Sequence, residues 1–426
     1  MACEWKTLPL EDCMSAIIDY RGKTPEKTTS GIPLVTAKVI KGGRIERPDE
    51  FISETDYAAW MRRGMPNPGD IVMTTEAPLG EVAQLDGRKV ALAQRVITLR
   101  GKPGLLDNTF LKFLLQSSPI QAQLCSRSTG TTVVGIRQSE LRKVRLTLPP
   151  FAEQQAIAGV LGALDDKIES SRRTSQTLER VARAIFRAWF VDFEPVKAKA
   201  AGARSFPGML QEAFDALPTR LVESELRPMP EGWAVDHLDS IATVGSGKRP
   251  TGRSDTPTPE CGVPLYGGGG RMGYTPVPLY EKPILFTGRV GTLGLIFRIS
   301  APSWPSDNTL IVEPQDGFFD FTYFWLKEFD LITLNRGSTQ PLLTQTDLKR
   351  QRIIRPPEEL VNWFASIVSP MFAKIDADLH ESSKLASMRD YLLPKLLSGK
   401  VRVTEESVIS ILEPTAAAHQ RRPGHE

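Results

Sequence analysis

Thirteen residues near the first third of the chain, QSELRKVRLTLPP from Gln138, return as QTDLKRQRIIRPP from Gln345. Gln138, Ser139, Glu140, Leu141, Arg142, Lys143, Arg145, Pro149 and Pro150 fall in register with Gln345, Thr346, Asp347, Leu348, Lys349, Arg350, Arg352, Pro356 and Pro357, a shift of 345 − 138 = 207 residues. A chain written twice folds into a body with an internal pseudo-two-fold repeat. It can offer two similar faces to an object that carries two similar sites.

At 426 residues the chain is too long for a single core, so two or three domains are expected. The balance of 41% hydrophobic and 24% charged residues is that of an ordinary globular protein. It contains no apolar run of about 18 residues, and its opening lacks the basic start and apolar stretch of a signal peptide, which predicts a cytoplasmic protein without a membrane partner. A net charge of +3 does not announce a nucleic-acid binder, so any anionic partner must be met by local patches. Cys3, Cys13, Cys125 and Cys261 lack CxxC spacing. Reduced thiols, with neither a disulfide framework nor a zinc site, are therefore expected.

The first copy spans residues 1–150 and alternates short β-rich runs with turns. DIVMTT from Asp70, EVAQL from Glu81 and RVITL from Arg95 read as strands, and NTFLKFLLQSS from Asn108 as a short amphipathic helix. The order returns over residues 231–357. Trp233 answers Trp5, GVPL from Gly262 answers GIPL from Gly31, PILFT from Pro283 answers DIVMT, and DFTYFWLKEF from Asp320 answers the short helix. The fold class is therefore α/β (α+β), in two globular domains.

A long helical pattern follows each copy. Ile157, Leu161, Leu164, Ile168, Ser171, Ser175, Leu178, Ala182, Ile185 and Trp189 form a heptad seam, polar near its middle. Phe151 to about Val191 would extend roughly 60 Å, and Pro195 is expected to close the spacer at 151–195. The second pattern, within 358–403, runs from about Glu358 to Leu393 and carries Leu360, Phe364, Ile367, Phe372, Ile375, Leu379, Leu385 and Leu392. Pro370 should kink it, and Pro394 should end or bend it. Two such seams in one chain predict an antiparallel coiled-coil pair separating the two domains. Residues 196–230 read as a connector with a flexible KAKAAGAR and one or two short helices, and residues 404–426 as a disordered tail.

Catalytic signatures are missing. GSGKRPTG from Gly245 is not a phosphate loop, because Arg249 follows Lys248 where Ser or Thr is required. The run Gly267–Gly270 lacks the strand-and-helix frame of a dinucleotide site and reads as a hairpin. There is no G-x-S-x-G, no H-E-x-x-H and no Asn-Pro-Pro-aromatic tetrapeptide. A binding protein is expected, with no catalytic residue, metal or cofactor of its own. Its loops say what it binds. DYRGKTPEK, TAKVIKGGR and SRSTGTT in the first copy, and GSGKRPTGR, YGGGGRMGY, TGRVGT and NRGSTQ in the second, mix cations with Ser, Thr and Gly. Such loops supply long donors for base edges and phosphates, and a backbone that can approach a groove.

These residues resemble the specificity subunit of type I restriction-modification systems over nearly the whole chain. The resemblance rests on the two variable domains each followed by a long helix, on LTLPPFAEQQAIAGVLGALDDKIE from Leu146, and on AIFRAWFVDFEPV from Ala184 and YLLPKLLSGKVRV from Tyr391. It implies a subunit without an active site that reads a split sequence in double-stranded DNA, one half-site per target-recognition domain. It also implies two modification subunits that carry S-adenosylmethionine and methylate adenine, and restriction subunits that translocate with ATP and Mg²⁺. A helix pair of about 60 Å would hold two readers across more than one duplex turn of ~34 Å, so helix length is expected to set the half-site spacing.

For DNA contact the first domain offers Lys23, Lys38, Arg44 and Thr129, and the second Lys248, Arg249, Arg271, Arg289 and Arg336. Phe186, Trp189 and Phe190 exceed what a one-faced seam needs and are expected to dock a modification subunit. The alternative is that they cap the helix pair or pack on the first domain. The second helix opens with PPEELVNWFASIVSP and has no counterpart of Gln154 and Gln155, which predicts less symmetric docking there. Two other readings remain at this point: a self-sufficient DNA methyltransferase or nuclease, and a coiled-coil adaptor with no DNA role.

Overall fold

The computed structural model describes residues 5–20, 24–130, 133–300, 302–337 and 340–403, so the tail 404–426 lies outside the described residues. The chain divides into two compact units, residues 1–170 with 381–426 and residues 171–380, so the division falls inside the two long helices and not at their ends.

Unit 1 is built on a four-stranded antiparallel sheet in the order Met14–Asp19, Val96–Gly101, Ile71–Thr75, Leu79–Gln84. Its central strand Ile71–Thr75 is buried throughout, as a strand covered on both faces must be. On one side lies Asn108–Gln116, whose first turn is capped by Asp107 accepting from the Phe110 N–H at 2.9 Å. The other side carries a smaller sheet in which Ile32–Val35 pairs antiparallel with Phe51–Ile52 and parallel with Ala91–Leu92. The opening strand Lys6–Pro9 closes the unit by pairing with Arg145–Leu148, just before the twin prolines.

Unit 2 repeats this plan. Its main sheet runs Ala242–Ser246, Thr309–Pro314, Ile284–Gly288, Ile296–Ile299. Its smaller sheet again joins an antiparallel pair, Val263–Gly267 with Gly270–Thr275, to one parallel bridge at Trp304–Pro305. Ala234–His237 pairs with Arg352–Arg355 as the first opening strand pairs with its closing strand. The sequence repeat is therefore a repeat of sheet order and strand direction.

The long helices are Phe151–Phe186 and Glu358–Leu397. In unit 1 the start of the first meets the end of the second: Asp165 pairs with Arg389 at 2.7 Å and Lys167 with Glu381 at 3.6 Å. In unit 2 the end of the first meets the start of the second, with the Phe186 and Phe364 rings 5.9 Å apart. Both sets of contacts require antiparallel helices, as the paired seams predict.

Several expectations about helix ends are corrected. The second helix runs through both Pro370 and Pro394 to Leu397 instead of ending near Leu393. An internal proline costs about 3 kcal/mol. Here Phe364 and Val368 before Pro370 and Phe372 after it are all buried in one core, which outweighs a single lost hydrogen bond. Leu379, placed on the seam by spacing, is 60% exposed, while its neighbour Asp378 is buried and accepts from Lys374 at 2.6 Å. Pro195 does not close the first helix. That helix widens to a π-turn over Arg187–Val191 and stops at Phe193, which takes a left-handed φ of 54°. Pro195 then sits in the first turn of a new helix, Glu194–Ala200, where its missing N–H costs nothing, so all of KAKA is helical and not flexible.

Gln154, expected to mark an asymmetry in docking, is 1% exposed. It accepts from the Asp107 N–H at 3.1 Å and donates to the Leu105 and Pro149 carbonyls at 2.9 Å each. It ties the first helix to the loop before Asn108. Val361, 207 residues on, fills the equivalent place with an apolar side chain.

Candidate nucleic-acid interface

In an antiparallel sheet the loops at one end are gathered by strand register alone. In unit 2, Ser246 lies opposite Leu310, Gly288 opposite Thr309, and Thr287 opposite Ile296. The chain leaving Ser246, entering Thr309 and leaving Gly288 is thereby brought to the same end. Backbone bonds lock these loops together. Lys248 N–H donates to Pro305 at 3.1 Å, and the Lys248 carbonyl accepts from the Trp304 indole at 2.7 Å. Arg289 N–H donates to Asn308 at 2.8 Å, and its carbonyl accepts from Leu343 at 2.9 Å. A hairpin that carries Arg336 joins through a bridge between Val290 and Leu342, with Arg336 N–H donating to Leu342 at 3.0 Å.

Glycine permits the closest approach in this cluster. A Cβ on Gly288 would lie 1.8 Å from the Thr292 carbonyl oxygen, and one on Gly268 would meet the Gly288 Cα at 3.0 Å. The Gly267–Gly270 hairpin thus rests on the Arg289 loop, and Arg271 beside it stacks on Tyr274 at 5.4 Å. Of the five cations expected in the second domain, Lys248, Arg249, Arg289 and Arg336 stand on these adjoining loops and Arg271 on the strand Gly270–Thr275 beside them, and all but the half-exposed Arg289 are exposed. They differ in availability. Arg336 is paired with Asp347 at 2.5 Å, whose other oxygen accepts from Thr344, whereas Lys248 and Arg289 have no carboxylate partner among the described residues.

Unit 1 builds the same end from different side chains. Thr75 N–H donates to Arg95 at 3.0 Å, and the Thr75 carbonyl accepts from Ile136 at 2.9 Å. Thr129 and Gly135 bridge across a hairpin that also bridges to Glu76. Thr129 and Gly135 stand 207 residues before Arg336 and Leu342. The hairpins therefore match position for position, with Thr where the second has Arg, and Val133 and Val134 where it has Gln340 and Pro341. Exposed Arg95, ion-paired with Glu76 at 2.8 Å, was missed by sequence reasoning because it sits in the first residues of an apolar strand pattern.

The remaining first-domain candidates stand on other elements. Lys38, on a single helical turn Ala37–Val39, is held by Asp49 at 2.6 Å; this hydrogen bond raises the lysine pKa and lowers that of the carboxylate. Arg44 lies on a hairpin pinned to the main sheet by Gly42 N–H donating to Glu81 at 2.9 Å. Among the described residues no hydrogen bond ties Lys38 or Arg44 to the Thr129 loop. Lys23 lies outside the described residues.

Phe186, Trp189 and Phe190 are not a docking surface. They are 1%, 2% and 5% exposed and sit in the unit 2 core among Phe321, Phe324, Phe364 and Trp233. The packing alternative holds, on the second domain and not on the first. A one-faced seam leaves room for extra aromatics only where a third element covers them, and the helix Phe319–Glu328 and the connector supply that cover.

The two hairpins offer a test that separates shape from stability. A Cβ on Gly337 would lie 1.8 Å from the Gln340 carbonyl oxygen, and one on Gly130, at φ +115°, would lie 2.1 Å from that of Val133. Gly337→Ala is expected to open the exposed hairpin and weaken binding through unit 2 while the melting temperature moves by no more than about 2 °C. A circular-dichroism melt beside a DNA titration checks it, and unchanged binding contradicts a role for the hairpin.

Two copies of one α/β unit, each gathering donor-bearing loops at one end of its sheet, define a repeated recognition scaffold. The chain belongs to the type I restriction modification DNA specificity domain family, whose model matches residues 5–180 and 230–382. It is 28% identical over 421 residues to the type I restriction enzyme MjaIX specificity subunit of Methanocaldococcus jannaschii, covering 90% of each chain. It is 25% identical over 386 residues to the HindI specificity subunit of Haemophilus influenzae, covering 74% of this chain and 82% of that one. In fold it matches the crystal structure of the type I restriction-modification S subunit from M. genitalium, with a TM-score of 0.58 at 19% identity over 92% of this chain and 96% of that one. Among the described residues no helix is long and apolar enough to cross a membrane, no His, Cys, Asp or Glu group is placed to hold a metal, and Cys13, Cys125 and Cys261 are free thiols.

Proposed function

We propose that this chain reads a two-part DNA sequence, one part with each unit, and carries no catalytic step itself. The observation that carries this reading is the repeat of the loop cluster. The same sheet end is built twice, with Thr129, Val133 and Val134 in one copy and Arg336, Gln340 and Pro341 in the other. A shared frame with unlike contact groups suits an asymmetric site, because phosphate contacts position a protein while base-edge donors and methyl contacts specify sequence. Modification subunits that bind S-adenosylmethionine and methylate adenine would assemble on this scaffold, two to a complex. Restriction subunits that use ATP and Mg²⁺ would complete it.

Incubating the purified chain alone with DNA, S-adenosylmethionine, ATP and Mg²⁺ is expected to leave the DNA unmethylated and uncut. Adding modification subunits should yield methylated adenines confined to a bipartite motif. Methylation or cleavage by the chain alone would instead establish a self-sufficient enzyme. An assembled complex with no sequence preference at moderate salt would establish an adaptor, since nonspecific binding fades as counterions accumulate.

A further inference from the structure

At the loop-bearing end of the main sheet the backbone is joined in the same way in both units, which fixes the correspondence of residues whose side chains differ. In unit 1 the Val96 N–H donates to the Ala93 carbonyl at 3.2 Å, and the Ala93 N–H to Val35 at 3.0 Å. In unit 2 the Thr309 N–H donates to Ser306 at 3.0 Å, and the Ser306 N–H to Tyr266 at 2.8 Å. The Thr75 N–H donates to the Arg95 carbonyl as the Arg289 N–H donates to Asn308, and the Thr75 carbonyl accepts from Ile136 as that of Arg289 accepts from Leu343. Glu76 bridges to Gly135 as Val290 bridges to Leu342. Thr75 therefore stands in the place of Arg289, Arg95 in that of Asn308, and Glu76 in that of Val290.

Between the two copies the guanidinium has changed sides of one backbone hydrogen bond. In unit 2 the donor residue carries it, Arg289 opposite the exposed Asn308. In unit 1 the acceptor residue carries it, Arg95 opposite Thr75, which is 3% exposed. Thr75 Oγ1 also donates to the Arg95 carbonyl at 3.3 Å, so the backbone under Arg95 is held twice. The Arg95 side chain is half-exposed, and its Nε lies 2.8 Å from Glu76 Oε1. Among the described residues no hydrogen bond takes its two Nη groups. A guanidinium beside a carboxylate has little net charge, and the carboxylate repels a phosphate, so the pair adds little to nonspecific attraction. A base edge is a neutral acceptor, and guanine O6 and N7 match a guanidinium fork.

We infer that Arg95 is the residue with which unit 1 reads a guanine, and that Glu76 is a positioning residue that anchors Nε and leaves the Nη fork to the base. This rests on the DNA-reading proposal and adds to it a residue and the base it selects. At the same joint unit 2 presents Arg289 beside Asn308, with Val290 where unit 1 has its acid. Two unlike sets of donors thus project from one backbone frame, as an asymmetric site requires.

Methylation mapping of the full chain assembled with modification subunits, beside DNA titrations at several salt concentrations, tests it. Arg95→Ala should admit other base pairs at one G·C position in one half of the motif and weaken binding to the original motif roughly 5- to 150-fold, with the salt slope unchanged. Arg95→Lys keeps the charge, loses the fork and should relax the same position. Glu76→Gln should relax it too, but with the salt slope steeper by about one, because the released guanidinium can then meet a phosphate. An effect of Glu76 on folding alone would not move that slope. The other half of the motif should stay as it is in all three variants. A salt slope lowered by about one in Arg95→Ala, with the motif intact, makes Arg95 a phosphate contact and overturns the inference. Relaxation of both halves overturns it as well. A wild-type complex without any motif overturns the DNA-reading proposal and this inference together, whereas a bipartite wild-type motif that Arg95→Ala leaves intact overturns this inference alone.

Discussion

Replacing Phe190 with alanine is expected to destabilise unit 2 by about 3–5 kcal/mol, the usual cost of emptying a buried aromatic site. Its ring lies 5.1 Å from Phe321, 5.3 Å from Phe186, 5.3 Å from Phe364 and 6.1 Å from Trp233, edge-on to Phe321 and Phe364 and tilted against Phe186 and Trp233. Denaturant unfolding followed separately in the two units, for example by hydrogen exchange, should show unit 2 opening at lower denaturant with unit 1 unmoved. If instead stability stayed constant while assembly with modification subunits failed, these aromatics would be docking residues after all, and the burial argument would be wrong.

The second large effect concerns Arg289 and Lys248. Both are held by backbone bonds on each side, so little ordering remains to be done on binding. Arg289→Ala should cost about 1–3 kcal/mol, roughly 5- to 150-fold in affinity, if its guanidinium reads a base edge, and it should relax preference within one half of the recognised sequence only. Lys248→Ala should weaken binding to all sequences alike and lower the salt slope by about one if its ammonium meets a phosphate. Affinity measured at several salt concentrations, with methylation mapping of the assembled complex, distinguishes these outcomes. Equal loss in both halves of the site, or no loss for either variant, would remove the unit 2 loop cluster from the interface.

Much of this is legible in the sequence. The match around Gln138 and Gln345 marks the segment that closes each sheet, where backbone pairing and the turn into a long helix leave few residue choices. The strands at Ile71, Val96 and Ile284 announced themselves by β-branched runs, and the short helices by their apolar faces. What pattern could not decide was competition between local rules and packing. Pro370 and Pro394 break helices by local chemistry, and here they do not, because the core around Phe364 and Phe372 holds both sides of the first. Phe186, Trp189 and Phe190 look like surplus on a one-faced helix, and nothing local says that the helix Phe319–Glu328 will cover them.

The candidate site divides in the same way. The cations of the second copy were found from composition and spacing alone, since glycine-rich loops with Arg and Lys are visible in a string of letters. That Lys248, Arg249, Arg289 and Arg336 gather at one end of the main sheet, with Arg271 beside them on the smaller sheet, follows only from strand register, the Val290–Leu342 bridge and the close approach of Gly268 to Gly288, which join residues nearly a hundred positions apart. The fold also brings in Arg95 and hands the Arg336 guanidinium to Asp347. The sequence by itself determined the two-fold plan, the long helices and the type of chemistry in the loops, because these depend on periodicity and residue class. Only the tertiary structure decided which aromatics are core and which cations are unpaired, because each depends on what lies across the fold from a residue and not on its neighbours in the chain.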